Sequence, residues 1–495
     1  MAPLSPARRP EPSAGVSSWP AAGSRTVAQE PLLTPFLDPY GPLPAAEAPL
    51  VAFLQEAAAD LSRWLAHAGH SRPLPRRPVP LDPTPPPHGL APPQLLADLQ
   101  QVMEGAYNPS HPGALAHLDP PPLTAAIAAE MVCAGLNNNL LAEELSPGLS
   151  RLERDLARWL ARSLGLGAGA GGVAASGGSL SNLMALVTAR RERGLAERRE
   201  AVVLCGADAH VSLDKAVMVM GLPPQALRRL PLDSQGRLVT AAVAEQLDDL
   251  DRQGIPVIAV VATAGTTVRG AIDPLAELGD LCRARGHWLH VDGAIGAVFA
   301  LGRSVPAGLE GLGRADSLTV NPQKLLGIPK TSSLLLLADP HALGRTFGTG
   351  LPYMEPADDG EHGGEAGLQG TRPAEILKLW LGLRQLGLEG IDAVLQGALG
   401  RCRSLERLLQ PASERLQSCG GPLHLLAFTP SAGDAAAAEA WSQRTRTALL
   451  KADLMLSRPL HHGRRHLKAV LGNPHTRPSD LERLAAIVID SLPPR

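Results

Sequence analysis

From about residue 200 onward, short runs of uninterrupted apolar residues alternate with longer amphipathic stretches. The runs are AVVLCG (201–206), IPVIAVVATAG (255–265), HWLHVDG (287–293), DSLTVN (316–321) and SSLLLLAD (332–339). Between them, stretches such as TAAVAEQLDDLDRQG and DPLAELGDLCRARG repeat apolar positions at helical spacing. Strands that are apolar throughout, rather than at alternate positions, are buried on both faces. The pattern therefore predicts an α/β fold: a mostly parallel sheet covered by helices on both sides. Ligands of such sheets bind beyond the carboxyl ends of the strands.

The flanking sequence has a different character. Residues 1–30 are rich in Pro, Ala and Ser and are expected to be a disordered tail. Leu50, Leu54, Ala57, Leu61, Trp64 and Leu65 predict a helix over about 47–68. The proline-dense stretch SRPLPRRPVPLDPTPPPHGLAPPQ (71–94) is expected to be an extended connector, so that 31–115 forms a helical and Pro-rich N-terminal segment. Helices are expected over LTAAIAAEMVCAGLNNN and SPGLSRLERDLARWLARSLGL, the latter capped by Ser146 with Pro147 at its first position. These open a large domain of 116–388. After ILKLWLGLRQLGLEG comes a smaller C-terminal α/β domain of 389–495, with PLHLLAFTP as its strand candidate.

Composition narrows the class of function. Across 495 residues the formal net charge is −2, which offers neither nucleic acid nor an anionic membrane an electrostatic partner. No window approaches the roughly 18 apolar residues of a membrane span, and the opening MAPLSPARRPEPSAG lacks the apolar region of a secretory signal. Cysteines 133, 205, 282, 402 and 419 are odd in number and dispersed, without CxxC or Cys/His clustering. They point to reduced thiols in the cytoplasm rather than to disulfides or a metal centre.

Lysine is scarce, supplying six of the 46 basic residues, yet Lys324 stands at a strand end in NPQK. Three other strand ends carry residues that suit the same ligand. Gly177-Gly178-Ser179 opens a helical pattern and offers backbone N–H groups and a hydroxyl to a phosphate. Asp292 ends WLHVD and is followed by the small residues Gly293 and Ala294, while His210 follows AVVLCG. A phosphate cradle, an aspartate, an aromatic ring and an amine at successive strand ends match pyridoxal 5′-phosphate: Schiff-base lysine, partner for the pyridine nitrogen, and stacking ring.

On these residues the chain resembles the group II pyridoxal-phosphate-dependent decarboxylases, the family of glutamate, cysteine sulfinate, aromatic amino acid and diaminobutyrate decarboxylases. The matching stretches include HPGALAHL, SGGSLSNLMAL, DAHVSLDKA, TAGTTVRGAIDPL, WLHVDGAIGA, ADSLTVNPQK and LKAVLGNPHT. The resemblance implies the type I, aspartate-aminotransferase-like fold, a homodimer with active sites at the subunit interface, and catalytic roles for Lys324, Asp292 and His210. It further implies Gly178, Ser179, Asn321 and Gln323 as phosphate contacts, Thr267 and Asp273 near the reactive edge of the cofactor, and His111 and Lys468 as substrate contacts.

Three departures stand out. Gln323 replaces a histidine common in relatives; an amide still donates to phosphate but does not titrate near neutrality. Lys468 stands where relatives often carry an arginine, so a carboxylate meets a point charge rather than a fork. Relatives also carry a lid tyrosine that protonates the carbanion, and here no tyrosine follows Tyr353, which matches a fixed position of the family. The Gly/Asp/Glu-rich segment 357–367 has the composition of a flexible lid, and its His362 is the expected replacement donor. The reactions open at this level are α-decarboxylation of an acidic or diamino L-amino acid and transamination or aldehyde-forming deamination, with a non-catalytic interaction protein as a further alternative.

Overall fold

The computed structural model describes residues 48–75, 77, 79–354 and 362–493. The tail expected at 1–30 and part of the expected lid lie outside the described residues. The described residues of Met1–Asp60 and Pro83–Gln100 form one compact unit, and those of Leu61–Asp82 and Gln101–Arg495 form another. The first unit holds most of helix α1 (Ala48–Ala66) and of helix α2 (Pro92–Glu104), which meet there through Gln100, whose amide donates to Asp60 at 2.9 Å. Helix α2 begins within the stretch expected to be extended, because prolines at the first turn forfeit only N–H groups that have no helical partner.

In the second unit a seven-stranded sheet holds the centre. Its strands are β1 (Gly171–Ala175), β2 (Val202–Gly206), β3 (Leu227–Leu230), β4 (Val257–Thr263), β5 (Leu289–Gly293), β6 (Ser317–Val320) and β7 (Ser333–Leu337), in the order β1-β7-β6-β5-β4-β2-β3. All run parallel except β7, which is antiparallel to β1 and β6. All seven positions of β4 are buried, as expected of a strand covered on both faces; each such Val or Ile contributes about 1.5–3 kcal/mol by leaving water. The helices are α3 (Thr124–Leu136), α4 (Pro147–Ser163), α5 (Gly178–Glu192), α6 (Ser212–Val219), α7 (Thr240–Gln253), α8 (Leu275–Arg285), α9 (His341–Phe347) and α10 (Ile376–Leu409).

Two strands escaped the apolar pattern, for opposite reasons. Strand β1 reads GGVAA and has too little side chain to register as apolar, but its small residues fit close pairing: a Cβ on Gly172 would lie 2.0 Å from the Leu335 carbonyl oxygen. Strand β3 is an edge strand, with Arg228 and Arg229 exposed. At the start of α4, Pro147 occupies the first helical position, but the Ser146 hydroxyl donates to Asn138 at 3.1 Å instead of capping the helix.

Helix α10 runs across the boundary expected at 388/389, with a kink at Gly387 (φ 62°). Beyond it lie β8 (Leu416–Gly420), β9 (Leu425–Pro430) and α11 (Ala435–Lys451), then the hairpin β10 (Leu460–His461) and β11 (Arg464–Arg465), β12 (Leu467–Val470) and α12 (Pro478–Asp490). Strands β12, β9 and β8 form an antiparallel sheet over a separate apolar core containing Leu405, Phe428, Trp441 and Leu484. Leu115 joins that core. The HPG and LGNPHT motifs are docked on each other: Asn473 donates to the Pro109 and His111 carbonyls, and Thr476 to that of Pro112. The five cysteines are free thiols. No helix among the described residues is long and apolar enough to cross a membrane.

Candidate active site

The carboxyl ends of β2, β4, β5 and β6 and the start of α5 surround a cleft of about 210 Å³. It is lined by Gly178, Ser179, His210, Thr267, Asp292, Asn321, Gln323 and Lys324, residues expected from sequence to share one site, together with Asn182, Asp208, Thr266 and Ile295. Each element contributes at its end because the parallel strands place all their carboxyl termini on one edge.

Asp292 is nearly buried and firmly held. The Asn182 side-chain amide donates to it at 2.8 Å and the Ala294 amide at 3.2 Å. The same Asn182 nitrogen donates to Ser212 Oγ (2.9 Å), while Asn182 Oδ1 accepts from Thr319 Oγ1 (2.7 Å) and lies 3.1 Å from His290 Nε2. Burial lowers the His290 imidazole to about 4, so this ring is neutral at pH 7 and supports the network as a dipole. Asn182 lies one helical turn after Gly178, and only the folded chain shows that it holds the aspartate.

The His210 Nδ1 accepts from the Ser212 amide at 3.2 Å, which fixes the ring at the cleft wall. Burial lowers its pKa, and nearby Asp292 opposes this. Lys324 is also pushed down by burial, with Asp292 and Asp119 opposing; among the described residues its amine has no hydrogen bond or ion pair. A half-buried, unpaired amine whose pKa is lowered yields its neutral, nucleophilic form more readily, the form that condenses with an aldehyde.

The phosphate end also fits. A Cβ on Gly178 would lie 3.0 Å from Asn321 Nδ2, so glycine keeps the space beside that amide donor open. Gln323 Oε1 accepts from the Ser332 amide, leaving its –NH₂ group to face an anion. Ser179 and the N-terminal amides of α5 complete the cradle.

Other expected residues sit elsewhere. Asp273 does not line the cleft; its two oxygens accept from the Leu238 and Thr263 amides, each at 2.7 Å, and burial pushes it up to about 6. His111 is likewise outside the cleft-lining set, its Nδ1 accepting from the Gly113 amide at 2.9 Å. The Lys468 amine lies beside the cleft, donating to the Thr267 carbonyl at 3.2 Å. Burial, followed by repulsion from Lys324, lowers it to about 8. His117 lies close enough to Lys468 to feel its charge, a neighbour that sequence reasoning did not single out.

The described part of the expected lid is anchored. His362 is buried and its Nδ1 accepts from the Glu143 amide at 3.2 Å, while Glu365 accepts from Thr349 and Gly350. The glycines that suggested flexibility instead permit close packing: a Cβ on Gly363 would lie 2.3 Å from the Leu140 carbonyl oxygen. Tyr353 is 71% exposed.

A family model described as the pyridoxal-dependent decarboxylase conserved domain matches residues 75–419. The chain belongs to this family. It is 34% identical over 390 residues to L-2,4-diaminobutyrate decarboxylase of Rhizobium meliloti, covering 77% of this chain and 78% of that one. It is 31% identical to the aromatic-L-amino-acid decarboxylase of Bacillus atrophaeus, over 66% of this chain and 70% of that one. The crystal structure of mouse CSAD superposes with a TM-score of 0.83 at 24% identity, covering 89% of this chain and 98% of that one. The cofactor of this decarboxylase is therefore pyridoxal phosphate, and the architecture is the type I fold.

When bound, the cofactor supplies a sink for the electron pair released at Cα as carbon dioxide departs. The protein's part follows from the geometry. Lys324 would offer the amine that holds the cofactor, and Asp292, oriented by the Asn182 and Ala294 donors, would face the pyridine nitrogen. His210 would wall one face, and the α5 amides with Ser179 and Gln323 would hold the phosphate.

Proposed function

We propose that this decarboxylase acts on an L-amino acid with a charged side chain: 2,4-diaminobutyrate first, then glutamate or aspartate. The carrying observation is the polar rim. Lys468 places an amine where it interacts with Lys324, and among the described residues the cleft lining includes no Phe, Tyr or Trp to receive an aromatic side chain. The similarity to a diaminobutyrate decarboxylase supports the same reading. Lys468 anchors a substrate carboxylate, and His111 acts from behind the rim by fixing the HPG turn. The protein is read as a cytoplasmic homodimer with interface active sites. The test is carbon dioxide release from a panel of acidic, diamino and aromatic amino acids by the cofactor-loaded protein; fastest turnover of an aromatic substrate refutes the assignment.

The absence of a tyrosine after Tyr353 favours a second reading, in which dioxygen is consumed and an aldehyde and ammonia are released, or transamination yields a keto acid. Product analysis separates the two. We assign return of the proton at Cα to His362, which requires release of its bond to the Glu143 amide. An unchanged ratio of amine to aldehyde in His362→Ala refutes that role.

A further inference from the structure

Outside the chemistry above, one cluster of side chains has ligand character. Asp208 follows β2, two residues before His210, and reaches the C-terminal hairpin β10–β11. There His461 ends β10, and His462 and Gly463 form a two-residue turn, both with positive φ (47° and 73°). Asp208 Oδ2 is 3.5 Å from His462 Nε2 and 3.9 Å from His461 Nδ1, and one ligand atom from each of the three residues lies within 4.8 Å of the others. At metal–ligand distances of about 2.0–2.2 Å, the edge of a ligand tetrahedron is roughly 3.4 Å. One edge is thus already formed, and the others close with shifts of about an ångström. Asp208 Oδ2 is buried without a hydrogen-bond donor, although it lies among imidazole nitrogens. A buried carboxylate oxygen without a donor calls for a cation.

We propose that Asp208, His461 and His462 form a divalent transition-metal site of the zinc or cobalt class, with a fourth position open to water. Two imidazoles and one carboxylate are a donor set for these metals rather than for magnesium or calcium, which prefer all-oxygen shells. The His466 ring packs against His461, 5.5 Å between centroids and 73° between planes, and holds it upright. The metal staples the C-terminal hairpin to the strand-end loop that presents His210, so it fixes one wall of the cleft without touching the reacting atoms.

The test uses the full-length, cofactor-loaded protein, stripped with chelator and titrated with ZnCl₂ by calorimetry and with CoCl₂ by visible spectroscopy. One equivalent of zinc per chain, a raised melting temperature and intense tetrahedral cobalt bands are expected. His462 is 61% exposed, so His462→Ala keeps the fold. It and Asp208→Asn are each expected to weaken zinc binding by at least about 10–100-fold. Absence of stoichiometric binding, weak octahedral cobalt bands, or undiminished binding in Asp208→Asn overturns the proposal; the last outcome would reveal only a surface histidine pair. The cobalt bands decide the question even where Asp208→Asn does not fold.

Discussion

Replacing Lys468 with methionine separates what this amine costs from what it does. Burial and the neighbouring Lys324 bring it from the ordinary 10.5 to about 8. At about 1.36 kcal/mol per pKa unit, keeping it protonated in the fold at pH 7 costs about 3 kcal/mol. Methionine keeps the length and removes the charge, but forfeits a charge-assisted bond to the Thr267 carbonyl worth about 1.5–3 kcal/mol. The net expectation at pH 7 is a variant about 0–2 kcal/mol more stable than the parent. The folded pKa lies below the unfolded one, so the cost is fully present below about pH 8 and fades as the pH rises towards 10.5. The parent should therefore close the gap on the variant between pH 7 and pH 10 in thermal melts followed by circular dichroism. In turnover the order reverses: KM for an anionic substrate rises at least tenfold in Lys468→Met, and in the parent KM climbs as pH passes about 8. A variant markedly less stable than the parent at pH 7, with a difference that does not change with pH, would refute the picture of a buried, charged amine.

Lys324→Ala should abolish the visible absorbance of lysine-bound cofactor without altering the far-ultraviolet dichroism; a retained band means that another amine holds the cofactor. Asn182→Ala removes four hydrogen-bonding contacts around Asp292, three of them between neutral groups at about 0.5–1.5 kcal/mol each and one charge-assisted. A stability loss of about 3–5 kcal/mol and at least tenfold weaker cofactor binding are expected, read by denaturation and by cofactor titration. Arg372 donates through both terminal nitrogens to Glu153 at 2.6 Å, with both side chains buried. Glu153→Ala should cost about 3–5 kcal/mol in chemical denaturation, whereas the apolar pair Glu153→Leu with Arg372→Met should recover much of it.

The sequence by itself determined the sheet and most of its site. Fully buried parallel strands need uninterrupted apolar runs, and their carboxyl ends must then carry the chemistry, so Lys324, Asp292, His210 and the Gly178-Ser179 turn were legible as residue types at strand ends. Strand β1 was hidden because close pairing at Gly172 selects small side chains, and β3 because an edge strand can expose arginines. The tertiary structure alone decided what lies across from what. Asn182 meets Asp292 from 110 residues away in sequence, and Lys468 reaches Thr267 from 201. The glycines of 363–367 carry the composition of a hinge, but in the fold Gly363 packs against the Leu140 carbonyl and Gly364 against Leu141. Composition specifies how freely a backbone can move, whereas only its neighbours specify whether it does.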